Sequence, residues 1–497
     1  MSITPLPLSS LLEDVASIAK GNPDAMVEDI AYDSRHCGPG AVFVAMRCFT
    51  HDGHDFTGDA YDRGCRCFAV EKIPEDLADK DDATIAVVPN SRHALAAMSQ
   101  RWFGYPDRKL KVVALTGTKG KTTTSYMLKA MLDEAGFDVG LIGSNGVFYD
   151  GTKFKLLNTT PESHELNRIL ADMVDKGVEI VIMEATSQGF KMHRTDGIQF
   201  DLSVFTNIAP DHISPLEHTD FDEYLACKKQ IFAQSELCFV NRDADLFDKI
   251  VEGVECPLQT YGFDPDCAYR ATGIESVTDG HRLFETFDCK APGWVQPMSL
   301  NIPGAFNVSN ALAAVAVADR LGVAPDVIAR GLAKARVAGR VEVVETPAPY
   351  TIIIDFAHNK LSIEALMATA KAYHPRRILA VFGLEGDRAH FRRFDCGEVL
   401  GRDVDYTILS DASPRRDDPD QILADIATGI ERGGGTGKYE IIRDRHVSIP
   451  KILDMAGPGD IVLLVGKGNV LYEEVYDDLI PIDEREIIKD YFAARSS

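Results

Sequence analysis

The chain has 497 residues, 45% of them hydrophobic and 26% charged, which excludes both a single small module and wholesale disorder. Fifty-two Lys and Arg against 76 Asp and Glu leave a net charge of −24, so a broad basic face for nucleic acid or an anionic membrane is not expected. A small anion is still open to a local cluster of amides and cations. Ten scattered cysteines, with Cys65 and Cys67 the only close pair, read as reduced thiols rather than a zinc site. The N-terminus has no basic stretch leading into an apolar run, and no later apolar run reaches eighteen residues, so a cytoplasmic protein without membrane insertion is expected.

In chain order, residues 1–108 read as a small mixed α/β unit that closes at the breaker cluster Gly104-Tyr105-Pro106-Asp107. From Leu110 the pattern becomes apolar strand, Gly-rich turn and helix, repeated through KVVALTG, VEIVIMEA and FDLSVFTNI, with a helix around 221–235. That alternation predicts a parallel sheet covered on both faces. Residues 239–300 look irregular, with antiparallel strands such as HRLFETFDC, and NIPGAFNVSNALAAVAVADRLG reads as a turn and a buried helix. A third α/β unit follows VAGRVEVVE, with strands in YTIIIDFA, RILAVFGL, DYTILSD and DIVLLVG. No internal repeat or low-complexity segment is present.

The strongest chemical signal is ALTGTKGKTTT at 114–124, a strand that runs through a Gly-rich turn into a helix. Gly117 and Gly120 allow backbone amides to face a phosphate, Lys121 adds positive charge, and the Thr122 hydroxyl suits Mg²⁺. The strict phosphate-loop pattern is broken, because Leu115 stands at its first glycine. Glu184 ends the apolar strand IVIMEA, where a carboxylate beside such a loop is placed for Mg²⁺, or is simply a solvated strand-end acid.

The TGT-x-GKTTT loop resembles that of the Mur ligase family, ATP-dependent enzymes that join amino acids to a peptidoglycan precursor. Further matches follow in order: DSR..PG..F at 33–43 and DGH at 52–54, NTTPES at 158–163, MEATSQGF at 183–190, TNIAPDH at 206–212 and YLACK at 224–228. GAFNVSNALAA at 304–314, GRVEVVE at 339–345, DFAHN at 355–359, GDR at 386–388, DRH at 444–446 and GKG at 466–468 complete the set. The first of these looks like the nucleotide-recognition domain of the branch, called the MurE type, that makes the UDP-N-acetylmuramoyl-tripeptide. The resemblance implies an α/β fold of three domains: a UDP-substrate-binding domain at 1–108, a central P-loop ATPase domain at 109–338 and a Rossmann-like amino-acid-binding domain at 339–497. It implies that Gly117, Thr118, Lys119, Gly120, Lys121, Thr122 and Thr123 bind the ATP phosphates, and that Asn310, Arg340 and Asp355 meet the rest of the nucleotide, with Arg340 at a hinge. It gives Mg²⁺ to Thr122, Glu184, His212 and a carbamylated Lys228, and it implies that Lys121, Glu184, His212 and Lys228 are catalytic. An unmodified ammonium beside Mg²⁺ would be repelled, which is the physical reason for the carbamate. Ser34 would face UDP, Thr159, Thr160, Ser187 and Arg194 the muramoyl peptide, Arg388 the α-carboxylate of the incoming amino acid, and Arg415 any distal acid. Blander alternatives stand beside these: a turn before Pro161 for Thr159 and Thr160, a helix-start cap for Asn310, a solvated helix face for Lys228 and Lys229.

The added amino acid is where the sequence departs from the family. Diaminopimelate-type relatives carry D-N-P-R in the third domain, whereas this chain reads SDASPRRDDP at 410–419, with Arg415 on the Arg but Ala412 and Ser413 in place of Asp and Asn. Val470 replaces the acid expected two residues after GKG. Asp411, Asp417 and Asp418 remain as partners for a distal ammonium, and the DHISPLEHTDFDEYLACKKQIF stretch tips the expectation slightly toward lysine over diaminopimelate. Gln188 for His, and Asn359-Lys360 for Thr-Pro, are lesser departures. The expected partners are a UDP-muramoyl dipeptide and a free amino acid, with the chain a monomer whose third domain closes to keep an acyl phosphate from water. Folylpolyglutamate synthesis, D-alanyl-D-alanine addition, a non-catalytic ATP-binding regulator and a motor or transport ATPase are the alternatives.

Overall fold

The structure is a computed structural model and describes residues 4–48, 51–210, 213–214, 217–280, 282–476 and 478–495. The chain divides into two compact units, Met1–Ser125 with Leu132–Ala268 and Ala316–Leu321, and Tyr126–Met131 with Tyr269–Val315 and Gly322–Ser497.

The first unit opens with a five-stranded sheet in the order Ser17–Lys20, Thr84–Val87, Cys67–Val70, Ala41–Val44, Asp29–Ala31. The first pairing is antiparallel and the other three are parallel. The helix Ser91–Trp102, capped by the Asn90 side chain, buries Leu95, Met98 and Trp102 against Val42, Val44 and Ala69. Beyond it lie six parallel strands in the order Val139–Gly143, Ile180–Glu184, Lys111–Thr116, Phe200–Phe205, Ser235–Asn241, Leu258–Gly262. Unbroken apolar runs such as Val112–Leu115 and Ile180–Met183 suit strands buried on both faces, and every one of those residues is buried. The chain leaves Lys111–Thr116 toward one side of the sheet and returns to its other side at Phe200–Phe205. The carboxyl end of Lys111–Thr116 is therefore a topological switch point, where an open α/β sheet forms its ligand crevice.

The second unit contains an antiparallel set, Tyr269–Asp279, Arg282–Ala291 and Trp294–Leu300, followed by the helix Ala305–Arg320 as far as Val315 and by the helix Pro325–Lys334. Its larger sheet runs Glu342–Val344, Thr351–Asp355, Ile461–Val465, Ile378–Phe382, Tyr406–Leu409, Tyr439–Ile441, all parallel except the first pair. Four neighbouring strands thus end, in spatial order, at Asp355, at Gly466-Lys467-Gly468, at the Gly383–Arg388 loop and at the Ser410–Arg416 loop. The segment expected to be irregular also holds the parallel strand Leu258–Gly262, and a hairpin at Tyr472–Val475 and Asp478–Pro481 was not foreseen. That hairpin, YEEVYDDLIP, has none of the polar–apolar alternation that marks a strand. None of the ten cysteines, all among the described residues, is in a disulfide, and no described helix is long and apolar enough to cross a membrane.

Candidate active site

Leu115 is buried inside the strand and pairs with Glu184, so the phosphate loop opens only at Gly117. Gly117 sits at φ 142°, and a Cβ there would lie 1.9 Å from the Thr206 hydroxyl oxygen. That hydroxyl has one proton to share between the Lys119 carbonyl at 2.6 Å and the Thr116 carbonyl at 3.2 Å. Asn207 holds the loop from the same strand end, accepting from the Thr118 amide on its carbonyl at 3.0 Å and from the Lys119 amide on Oδ1 at 2.9 Å. Gly120, at φ 89°, turns the chain into the helix Lys121–Ala135, whose N-terminal amides and dipole favour an anion. Thr122 and Thr123 follow, both buried.

Glu184, 1% exposed, accepts from Thr122 Oγ1 at 2.9 Å and from Ser144 Oγ and N at 3.0 and 3.2 Å. Gly143 makes room for it, since a Cβ there would stand 2.4 Å from Glu184 Oε1. Lys228 projects from the helix Phe221–Ala233, is buried, and lies 4.8 Å over the Tyr224 ring. Its Nζ donates to the Gly117 carbonyl at 2.9 Å, the same oxygen that accepts from Lys121 Nζ at 2.7 Å. Tyr224 in turn bonds Thr118 Oγ1 at 2.9 Å. Lys229 instead reaches the Lys249 and Glu252 carbonyls, away from the loop. His212 lies outside the described residues. A hydroxyl and a buried carboxylate are hard oxygen donors, so Thr122 and Glu184 fit Mg²⁺.

Thr160 is buried, and its hydroxyl donates to the Glu184 carbonyl at 2.9 Å while accepting from the Thr186 amide at 3.0 Å. It thereby ties the 158–163 turn to the strand end that carries Glu184. Thr159 Oγ1 lies 3.2 Å from Ser144 Oγ, and Ser187 Oγ lies 3.0 Å from His218 Nε2. Arg194 reaches Glu162 through Nε at 2.9 Å and Nη2 at 2.8 Å, and the Thr160 carbonyl through Nη1 at 3.2 Å. Glu162 also takes Arg92 at 3.0 Å, which links the helix of the first sheet to this turn. Ser34 is buried in a short turn headed by Asp33. The Arg35 guanidinium, hydrogen-bonded to Asp33, lowers that carboxyl to about 2. One His/Asp group among the described residues has metal-like spacing, His93, His193 and Asp196. The Asn90 Oδ1 caps a helix, so its Nδ2 faces His193 Nε2 at 3.2 Å; the His193 proton therefore sits on Nδ1, which donates to Asp196 at 2.8 Å. The group is a hydrogen-bonded clasp.

In the second unit Asp355 is buried, accepts from the Val341 and Ala357 amides at 2.7 Å each, and is raised by burial, which the nearby Arg340 opposes. Arg340 stacks 4.9 Å from the Phe356 ring. The next residue, Val341, is β-branched yet sits at φ 45°, a strained conformation that such a residue rarely adopts. Asn310 lies five residues inside its helix, bonding Asn307 Oδ1 at 3.1 Å, so it is not a helix-start cap.

All three acids held in reserve for an ammonium are otherwise engaged. Asp411 pairs with Arg443 at 3.0 Å, Asp417 pairs with the buried Arg393, and Asp418 caps the helix Pro419–Arg432. Sequence reasoning missed the residues that do surround Arg415. Its Nη2 reaches Glu385 Oε2 at 3.1 Å and its Nε reaches Glu474 Oε2 at 3.0 Å. Arg388 stands 3.5 Å from the same Glu385 oxygen. Glu385 lay one residue before the recognised GDR, but nothing in the pattern marked it. Lys467, in GKG, is buried, donates to the Ala412 and Tyr472 carbonyls at 3.1 and 2.6 Å, and is lowered to about 8 by that burial.

Fold and site together define a nucleotide-binding α/β protein of the phosphate-loop class. The Mur ligase middle domain matches residues 115–318, the Mur ligase glutamate ligase domain 339–468, and the Mur ligase family catalytic domain 27–103. The chain is 35% identical, over 97% of its length and 99% of the relative's, to the UDP-N-acetylmuramoyl-L-alanyl-D-glutamate–2,6-diaminopimelate ligase of Clostridium perfringens. It is 34% identical, over 98% and 99%, to the ligase of the same name from Caldanaerobacter subterraneus. A solved structure of a ligase of that name superposes with a TM-score of 0.73 at 22% identity, covering 99% of this chain and all of that one. The MurF ligase of Thermotoga maritima in complex with ADP follows at 0.62 and 20% identity, over 94% and 97%. The chain belongs to the Mur ligase family, and its enzyme class is ATP-dependent acid–amino acid ligase.

Proposed function

We propose that this protein extends UDP-N-acetylmuramoyl-L-alanyl-D-glutamate by one residue of diaminopimelate in cytoplasmic peptidoglycan precursor synthesis. The observation that carries the reading is the near-full-length likeness to ligases of that name. Diaminopimelate takes precedence over lysine because those relatives are named for it and because Arg415 stands at the edge of the third-domain sheet with donors to spare.

On this reading residues 1–108 take the UDP moiety with Ser34, residues 109–338 take ATP, and residues 339–497 take the amino acid. Thr159, Thr160, Ser187 and Arg194 frame the muramoyl peptide, with Thr160 and Arg194 acting as much on the shape of the turn as on substrate. Asn310 reads adenine, Asp355 the ribose, and Arg340 marks the hinge. A γ-carboxylate oxygen of D-glutamate bonds to the γ-phosphorus of ATP as the bond to the bridging oxygen breaks, giving an acyl phosphate and ADP. The amine then attacks the acyl carbon, phosphate leaves, and the amine loses a proton.

Two anions must meet for the first step, so the chain's contribution is charge. The amides from Gly117 to Thr123, the Lys121 ammonium and the helix N-terminus draw the triphosphate in. Mg²⁺, when bound, neutralises part of the charge between triphosphate and carboxylate; Thr122 and Glu184 would hold it, with His212 and carbamylated Lys228. Carbamylation adds CO₂ to the Lys228 amine with loss of two protons from the ammonium. Support for it comes from the shared Gly117 carbonyl: two ammonium groups crowd one oxygen in a buried place, and the carbamate removes one of those charges.

The test is phosphate release with ATP, Mg²⁺, the UDP-muramoyl dipeptide and, in parallel, diaminopimelate, lysine or ornithine, with products weighed by mass spectrometry. A diaminopimelate tripeptide is expected. ATP turnover without dipeptide or amine refutes the ligase reading in favour of a motor or transport ATPase. ATP binding without any product points to a regulatory protein or to the folylpolyglutamate and D-alanyl-D-alanine chemistries.

A further inference from the structure

The loops that follow two neighbouring strands, together with the Tyr472–Val475 hairpin strand, converge on the Arg415 guanidinium. The Gly386 amide donates to the Ser413 carbonyl at 2.9 Å, and a Cβ on Gly386 would stand 1.9 Å from the Pro414 carbonyl oxygen, so only glycine allows this approach. The hairpin is zipped to the same loop: the Arg415 amide donates to the Glu474 carbonyl at 2.8 Å, the Tyr476 amide to the Arg415 carbonyl at 2.9 Å, and the Glu474 amide to Ser413 Oγ at 3.2 Å. Arg415 itself is held at φ 54°.

Atom by atom, this leaves a specific set of groups unused. The guanidinium spends Nε on Glu474 Oε2 and one Nη2 proton on Glu385 Oε2. Among the described residues Nη1 has no partner, and neither does Oε1 of Glu385 or of Glu474. Arg415 and Glu385 are each about a fifth exposed and Glu474 about a third, so all three side chains are partly open to solvent. A guanidinium edge flanked by two half-used carboxylates is complementary to a group that carries both a carboxylate and an ammonium. It is poorly matched to a lone carboxylate, which would meet the two acids, and over-equipped for a lone ammonium, which would meet the Arg. Neither expected acid position supplies a carboxylate: Ala412 is 2% exposed and Val470 is apolar, while at 413, where the family has Asn, the Ser hydroxyl serves the Glu474 amide.

We propose that Glu385 and Glu474 hold the distal ammonium of the incoming amino acid while Arg415 Nη1 takes its distal carboxylate, so that this chain replaces the missing acids from two other segments. The inference rests on the diaminopimelate reading above and adds two specificity-determining residues to it. Steady-state kinetics of the wild type and of an E385Q/E474Q double variant would use three amines: diaminopimelate, 2-aminopimelate, which lacks the distal ammonium, and lysine, which lacks the distal carboxylate. In the wild type, kcat/KM falls in that order from diaminopimelate to either analogue. In the double variant KM for diaminopimelate rises at least tenfold, KM for ATP and for the dipeptide does not move, and the preference for diaminopimelate over 2-aminopimelate disappears. That preference is a ratio within one protein, so a general loss of folding does not imitate it. A double variant that still discriminates the two pimelates as the wild type does overturns the proposal and leaves the diaminopimelate reading intact. A wild type that uses lysine at least as well as diaminopimelate overturns both.

Discussion

Replacing Gly117 by Ala should cripple nucleotide binding through one contact. The new Cβ would fall 1.9 Å from Thr206 Oγ1, well inside van der Waals distance, at a φ of 142° that alanine avoids. The backbone strain costs about 1–3 kcal/mol. If the hydroxyl moves aside, the bond it shares between the Lys119 and Thr116 carbonyls is lost at about 1 kcal/mol. The loop conformation that faces the phosphates is then disfavoured by about 2–4 kcal/mol while the buried strand behind it stays folded. The apparent affinity falls with the fraction of loop in that conformation, so ADP binding by calorimetry should weaken by roughly 10²-fold or more. Thr206→Ala alone should weaken it roughly fivefold by loss of that shared bond. Combined, the two changes should cost clearly less than their sum, since the alanine Cβ then has no oxygen to strike. Additivity within about 0.5 kcal/mol would refute the steric reasoning and move the effect of Gly117 to backbone strain alone.

Glu184→Gln keeps the shape of the buried carboxylate but removes its charge, and should lower the maximal rate by roughly 10²-fold, with the apparent requirement for Mg²⁺ shifted upward in a metal titration; unchanged magnesium dependence would remove Glu184 from the metal. Lys228→Ala should be inactive and regain turnover when small carboxylic acids are added, whereas near-normal turnover without rescue would sink the carbamate. His164, hydrogen-bonded at 3.1 Å to Ser99, is lowered by burial to about 4 against an ordinary 6.5. The folded state resists the proton that the unfolded state accepts, so the contribution is complete above pH 6.5 and is lost as pH falls toward 4, by about 3 kcal/mol. Urea midpoints of the first unit between pH 7 and 4.5 should drop more in the wild type than in His164→Gln, and parallel curves would show that this histidine does not titrate there.

Much of the site was legible because its chemistry is local in sequence. The phosphate loop needs a strand, two glycines, a lysine and a threonine in one short run, and the strand-end acid needs only a carboxylate after an apolar stretch; in the structure Gly117 and Gly120 take positive φ in the turn after the strand, and Glu184 accepts from Thr122 at 2.9 Å. The apolar runs at 112–115, 180–183, 352–354, 378–382 and 461–465 likewise announce buried parallel strands by composition alone.

What the sequence could not carry were pairings between distant segments. Thr206 and Asn207 pin a loop roughly ninety residues away in the chain because the strands that end in them are neighbours in the sheet. Asp411, Asp417 and Asp418 looked available for an ammonium, and only the packed helices and loops reveal that Arg443, Arg393 and a helix amide already occupy them. Conversely, Glu385 and Glu474 carry no motif; sheet order and the zipping of a hairpin bring them to Arg415 from 30 and 59 positions away. Residue type and short spacing determine which chemistry a segment can perform. The tertiary structure decides which charges meet, because Coulombic pairing and hydrogen bonding depend on distance in space and not on separation along the chain.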